Sequence, residues 1–223
     1  MTVPRTDPPA ACRGKRRPRP EISSSQIALK AADYKRFKSS PPGPRIAEVG
    51  APAPQFTLPA VLADGTLSTV SLRQYVDRYL VILFYPFDFA PFSQHLLVEF
   101  DSAFARFQDI GCDIVFCSQD SEYVHFRWRS VPKDSGGLGP VSVPMLADRA
   151  HQVSALYSVC REPQTVQLAV IDRAQVLRAA DVFTGTSDAT LVDKMLDMVA
   201  SFKCSDKQGE SFFCEQDPRH HPK

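Results

Sequence analysis

The 223-residue sequence lacks any apolar stretch near the roughly 18 residues that a membrane span requires; its longest apolar run, Tyr79 to Phe87, suits a buried strand. It also lacks the apolar stretch of roughly 7 to 15 residues that a secretory signal needs, since Met1 to Pro20 holds none. An intracellular protein is expected, most simply cytoplasmic, with no membrane association. The six cysteines (Cys12, Cys112, Cys117, Cys160, Cys204, Cys214) form no CxxC pair, which argues against a zinc-finger framework or a disulfide-stapled mini-domain. With 43% hydrophobic and 23% charged residues, the chain suits one globular domain with tails.

The net charge of +1 conceals a segregation. Residues 1–45 carry 11 basic and 3 acidic side chains, a net +8, whereas the remaining chain carries 15 and 22, a net −7. The same first segment is rich in proline and serine and poor in large apolar groups, so it cannot bury enough surface to offset chain entropy. It is expected to be a disordered basic tail, followed by a domain at 46–204 and a C-terminal tail at 205–223. Within the first tail, Arg13-Gly-Lys-Arg-Arg-Pro-Arg19 is compatible with nuclear import, nucleic-acid contact, a mitochondrial presequence or a plain solvated face.

Along the domain, Asp64-Gly65 between extended runs signals a hairpin. Tyr79–Tyr85 reads as a strand covered on both faces, and Phe92 to Phe107 recurs at helical spacing until Gly111. Cys112–Cys117 reads as a second buried strand, so strand, helix, strand forms a right-handed βαβ unit. A short helix at Ser121–Ser130, the Gly136–Pro140 loop and a helical stretch near Ala147–Tyr157 follow. Val166–Ile171 and Gln175–Val182 read as an antiparallel pair. A last helix from near Asp188 carries the stripe Leu191, Met195, Met198, Val199, Phe202. A βαβ followed by ββα predicts an α/β chain of the thioredoxin-like fold, a central mixed sheet flanked by helices.

Several strings carry more than a fold class: Phe84-Tyr-Pro-Phe-Asp-Phe89, Asp120-Ser121 with His125 and Trp128, Gly136-Gly-Leu-Gly-Pro140, Pro144-Met-Leu-Ala-Asp148 and Asp206-Lys-Gln-Gly-Glu210. In this order they resemble the peroxiredoxin family, specifically its typical two-cysteine, thioredoxin-peroxidase-like subfamily, over about Ala47 to Glu210. The resemblance implies a Pro-x-x-x-Thr-x-x-Cys motif after the central strand. Pro86 matches the proline, but Ala90 stands at the threonine and Ser93 at the peroxidatic cysteine, within Ser93-Gln-His-Leu96 where the family has Cys-Pro-Thr-Glu. The family's active-site arginine aligns with Val166, Arg161 being the nearby alternative if the shortened loop shifts the alignment. The resolving cysteine aligns with Phe212, with Cys214 two residues beyond.

These departures bear directly on chemistry. Peroxide reduction needs a thiolate that attacks the O–O bond and becomes a sulfenic acid, and a serine hydroxyl has neither the acidity nor the redox cycle. Ser93 and His95 are two residues apart on a helix and point to different faces, so a serine nucleophile with that base is not expected. Ala90 removes a hydroxyl, Val166 a cation and Leu96 an acid. The expectation is a pseudo-peroxidase with a relic pocket of Pro86, Ala90, Ser93 and Val166, acting as a homodimer or higher oligomer, including assembly with active peroxiredoxins. The alternative is a peroxidase in redox homeostasis that uses a relocated thiol, Cys117, Cys160 or Cys214, with thioredoxin as partner only in that case. Cys112 matches a strand cysteine of the family. A third reading makes residues 1–45 the functional part, as a nucleic-acid or acidic-partner contact. No cofactor is expected, and Cys214, His220 and His221 lack the spacing of a metal site. Trp128 and the Gly136–Pro140 loop are expected to pack or to assemble, and Val182 and Phe183 suit a dimer edge.

Overall fold

The computed structural model describes residues 46–159, 165–184 and 190–214, and the side chains of the last helix as far as Asp206. The hairpin comes first, β1 (Thr57–Val61) and β2 (Leu67–Ser71), its turn tightened by the Asp64 carboxylate accepting the Thr66 N–H at 2.8 Å. Strand β3 (Tyr79–Phe84) follows, buried at every position. The helical run after it is two helices, α1 (Pro91–Ser102) and α2 (Phe104–Asp109), divided at Ala103. Ser102 sits at that break with its hydroxyl donating to the Val98 carbonyl at 2.7 Å, a back-bond of the kind that bends helices. Then come β4 (Cys112–Ser118) and α3 (Glu122–Ser130), the latter capped by Ser121.

The stretch expected to be helical from Ala147 is divided differently. Met145–Ala147 is a strand, β5, and helix α4 spans only Gln152–Leu156. Three residues are too few to show a period, and the Asp148 carboxylate starts the helix late by accepting the N–H groups of Gln152, Val153 and Ser154. Strands β6 (Thr165–Ile171) and β7 (Leu177–Thr184) form the expected antiparallel pair, and α5 (Thr190–Cys214) closes the fold, crossing residue 204 without a break. The proposed start at Asp188 lies outside the described residues.

One seven-stranded mixed sheet results, in the order β2-β1-β5-β4-β3-β6-β7. Strands β3 and β4 are parallel, with Tyr79 opposite Cys112 and Phe84 opposite Cys117, and β6 runs antiparallel to β3. The fold is the thioredoxin-like one, a mixed sheet between helices. Alternation sorts the core into two layers. Tyr79, Val81, Leu83, Ile114, Phe116, Leu168 and Val170 face α1, α2, α3 and α5; Leu80, Ile82, Phe84, Val115, Cys117, Ala169 and Ile171 face α4 and the hairpin. No helix among the described residues is long and apolar enough to cross a membrane.

The far end of α5 is fastened to the N-terminal edge of β3. Asp206 accepts hydrogen bonds from Tyr79 Oη and, at 2.8 Å, from Arg178 Nη1, while the Arg178 guanidinium lies 4.9 Å above the Phe202 ring. Partial burial would raise the Asp206 carboxyl, but the bonds from Tyr79 and Arg178 outweigh it and hold the group below its ordinary range. A depressed folded value stabilises the fold above the unfolded value and is lost as pH falls through the folded one. Asp206→Asn is therefore expected to reduce stability at neutral pH by about 1 kcal/mol and to flatten the loss of stability below about pH 4, as read by urea denaturation at a series of pH values.

Candidate functional site

Strand β3 ends in a loop, Tyr85–Ala90, that feeds the first turn of α1 at the C-terminal edge of the parallel strands, where α/β sheets place their sites. The loop is rigidly held. Tyr85 Oη donates to Asp88 Oδ1 at 2.7 Å, and the other carboxylate oxygen lies 2.8 Å from His125 Nδ1. The Asp88 backbone N–H donates to Asp120 Oδ2 at 2.8 Å. His125 is fully buried, its Nε2 lying 3.2 Å from the Leu146 carbonyl. Both ring nitrogens thus face acceptors, and the imidazole is held between the Asp88 carboxylate and the Leu146 carbonyl. Burial pushes the Asp88 carboxyl above its usual range, opposed by the bonds from His125 and Tyr85. Phe89 closes the loop in the left-handed region, φ 58°, its ring 5.9 Å from that of Trp128.

Helix α1 then begins with Ala90 as N-cap and Pro91 in its first position, so Ala90 offers no side-chain acceptor to the free N–H groups. Ser93 is the third helical residue. Its side chain is fully buried, and Ser93 Oγ has no hydrogen-bond partner. Leu96 and Leu97 follow into the core. The register that sets Phe84 opposite Gln167 brings Val166 level with Tyr85, at the same edge and on the same sheet face as α1. Pro86, Ala90, Ser93 and Val166 are therefore gathered at one end of the sheet. Of these four side chains only that of Ser93 is polar, and its hydroxyl has no partner.

His95 stands apart from Ser93. Its side chain is exposed and pairs with Glu99 at 3.2 Å, one turn further along the helix. The expected absence of a Ser93–His95 dyad agrees with this placement.

The cysteines fall elsewhere. Cys117 points to the opposite face of the sheet, in the layer with Phe84, Leu146 and Ala169, beside a cavity of about 30 Å³ whose walls include Pro86, Ser118, Ser154 and Thr165. Burial pushes its thiol well above the ordinary range, with the Asp148 charge adding to the effect. Cys112 lies in the other layer at the far end of β4, its thiol pushed up to about 12 by burial and by Asp113. Cys204 is exposed on α5. Cys160, Arg161, His220 and His221, and the side chains of Phe212 and Cys214, lie outside the described residues. Among the described residues no group of His, Cys, Asp and Glu could hold a metal ion.

Sequence reasoning passed over two features. The Asp88–His125 pair was visible only as letters within two separate strings; nothing in their spacing shows that they meet. Gln94 carried no signal at all, yet its carboxamide donates to the carbonyls of Lys133 at 2.8 Å and Gly137 at 2.6 Å. Trp128, read as a packing residue, is fully buried and donates from Nε1 to the Gly136 carbonyl at 3.1 Å.

Comparison with known proteins gives a consistent result. The AhpC/TSA family profile matches residues 49–180. Peroxiredoxin-2 of Bos taurus is 37% identical over 170 residues, covering 74% of this chain and 83% of that protein. Thioredoxin peroxidase of Trypanosoma brucei rhodesiense is 34% identical over 170 residues, with the same two coverages. Among solved structures, the reduced two-cysteine peroxiredoxin of Plasmodium vivax superposes with a TM-score of 0.67 at 27% identity, covering 72% of this chain and 84% of that one.

Two outcomes are expected from this geometry. Iodoacetamide followed by peptide mass spectrometry will modify Cys204 in the native protein and leave Cys112 and Cys117 untouched until denaturant is added, because the buried thiols are protonated and inaccessible. Ser93→Ala, which removes an unsatisfied buried hydroxyl, will leave stability unchanged or raise it by up to about 2 kcal/mol in urea denaturation.

Proposed function

Because this chain belongs to the AhpC/TSA family of peroxiredoxins, we propose that it is a pseudo-peroxidase, a member that keeps the scaffold of the family and acts by assembling with itself, with active peroxiredoxins or with another partner. The observation that carries the reading is Ser93, a buried, unpartnered hydroxyl at the position that the sequence resemblance aligns with the family's thiol. In thiol-based reduction the sulfur takes one oxygen from the peroxide, the O–O bond breaks, and the second oxygen leaves as hydroxide, which is then protonated to water. An alcohol offers no such transfer near neutral pH, and the neighbours that would assist one are an alanine, a valine and a leucine.

Among the described residues, no cysteine lies at this edge on the face of the sheet that carries Ser93. Cys117 lies across the sheet from Ser93, in a setting that keeps the thiol protonated, and thiolate is the reactive form. The competing reading is a thioredoxin-linked peroxidase on a relocated cysteine, Cys117, Cys160 or Cys214, and the surroundings of Cys117 weigh against the first of these. Assembly is the activity that the retained parts still support. Strand β7 lies at one end of the sheet, with Val182 about half exposed. An open strand edge with apolar side chains is suited to pairing with another chain.

The test is peroxide-dependent NADPH consumption by the purified full-length protein with thioredoxin and thioredoxin reductase. The expected rate equals the blank without the protein, and size-exclusion chromatography with light scattering is expected to give a mass above that of one chain. Turnover that survives Ser93→Ala and disappears with Cys160→Ala or Cys214→Ala would overturn the reading in favour of a relocated thiol.

A further inference from the structure

Ser93 is fully buried although it lies in the first turn of a helix, at an edge of the sheet where a side chain ordinarily reaches solvent. The cause is not the helix itself. Ala90 gives no side-chain cap, no acidic residue stands in the first turn, and Pro91 contributes no N–H. Within the chain of helical bonds, the Gln94 N–H donating to the Ala90 carbonyl at 2.9 Å is the first to close. A helix start with these features frays readily.

The next residue supplies what the cap does not. Gln94 Nε2 donates both protons across to another part of the chain, to the Lys133 carbonyl at 2.8 Å and the Gly137 carbonyl at 2.6 Å. The receiving loop is fixed independently of α1. Gly137 N–H donates to Pro132 O at 2.9 Å, Leu138 N–H to Trp128 O at 3.0 Å, Gly139 N–H to Val131 O at 3.1 Å, and Trp128 Nε1 to Gly136 O. A Cβ on Gly137 would stand 1.9 Å from the Val131 carbonyl oxygen, so the loop packs against its own base with no spare room, and Leu138 is sunk in the core. One end of the Gln94 contact is therefore rigid, and the other is an uncapped helix turn.

We infer that the Gln94 carboxamide is a latch, tying the first turn of α1 to the 133–137 loop and keeping position 93 closed to solvent. The inference goes beyond the proposed function and does not depend on it: the latch would close over serine or cysteine alike. It also explains how an orphaned hydroxyl stays out of water. The turn that carries it is held from outside, and relaxing that turn to hydrate Ser93 Oγ requires both Gln94 bonds to break.

A thiol at the closed position reports on the latch. Iodoacetamide modification is measured, by peptide mass spectrometry on the full chain, for Ser93→Cys alone and for Ser93→Cys combined with Gln94→Ala or with Gln94→Glu, which keeps the shape and removes the donors. With two hydrogen bonds lost, the rate at position 93 is expected to rise about tenfold or more in both double variants, while Cys112 and Cys117, on β4, stay unmodified. Equal rates with and without Gln94 would overturn the latch, as would a parallel rise at Cys112 and Cys117, which marks general unfolding. Hydrogen exchange on the chain with native Ser93 gives a second readout that needs no new thiol. Gln94→Ala should speed exchange of the amides at Gln94 to Leu97 and leave those of Ile114 to Cys117 unchanged; no acceleration in the first turn refutes the proposal.

Discussion

Everything at the candidate site of this molecule depends on the alternation of side chains along three strands buried on both faces. Successive residues of β3, β4 and β6 go to opposite layers, and a fully buried strand cannot rotate to exchange them without moving its whole apolar set. Leu83 and Phe84, or Phe116 and Cys117, are neighbours in sequence and belong to different cores. A thiol on β4 therefore cannot take the place of a group on α1 merely because both lie near the C-terminal edge. Distance along the chain is a poor guide here; parity is a good one.

The same constraint couples the residues of the candidate site. Val166 shares a layer with Leu96, Leu97 and Phe100, so this face of the edge has become continuous with the core beneath it. A cation in place of Val166 would now stand beside leucines and phenylalanines, and a charge in such surroundings is costly without a partner. A single polar group introduced there would meet an environment built for none. The buried Asp88–His125 pair is a different case, because each partner satisfies the other, with His125 also tied to the Leu146 carbonyl and Asp88 to the Tyr85 hydroxyl and the Asp120 carboxylate. Polar groups at this edge are satisfied where they are locally complete, as in the loop, whereas the Ser93 hydroxyl among the apolar side chains has no partner.

Much of this was legible in the letters. The hairpin, both central strands, the β6–β7 pair and the apolar stripe of the last helix follow from periodicity and turn residues, and the family strings singled out Pro86, Ala90, Ser93 and Val166 as candidates. Strand β5 escaped because Met145–Ala147 is too short for a pattern and gains its place by pairing with Cys117 and Ala60 on either side, contacts that do not exist locally. The break at Ala103 escaped because alanine favours helix and the disruption lies in the geometry of Ser102. Gln94 escaped for a related reason. A glutamine on a helix is an ordinary surface residue until the fold sets two carbonyl groups within its reach.

The placement of β1 has a consequence for how the chain reaches this fold. Ala60 pairs with Leu146, so the first hairpin docks on a strand that lies far along the chain. Strand β5 in turn pairs with β4 and needs the β3–β4 unit to be laid down first. The hairpin forms from local contacts but must wait for its seat, with loop-closure entropy paid before the long-range pairing returns it. During synthesis on a ribosome the N-terminal hairpin emerges well before β5 exists, and its apolar face, with Phe56, Leu58 and Val70, stays uncovered over that interval. The interval for which that face waits for its cover is thus set by strand order rather than by the site.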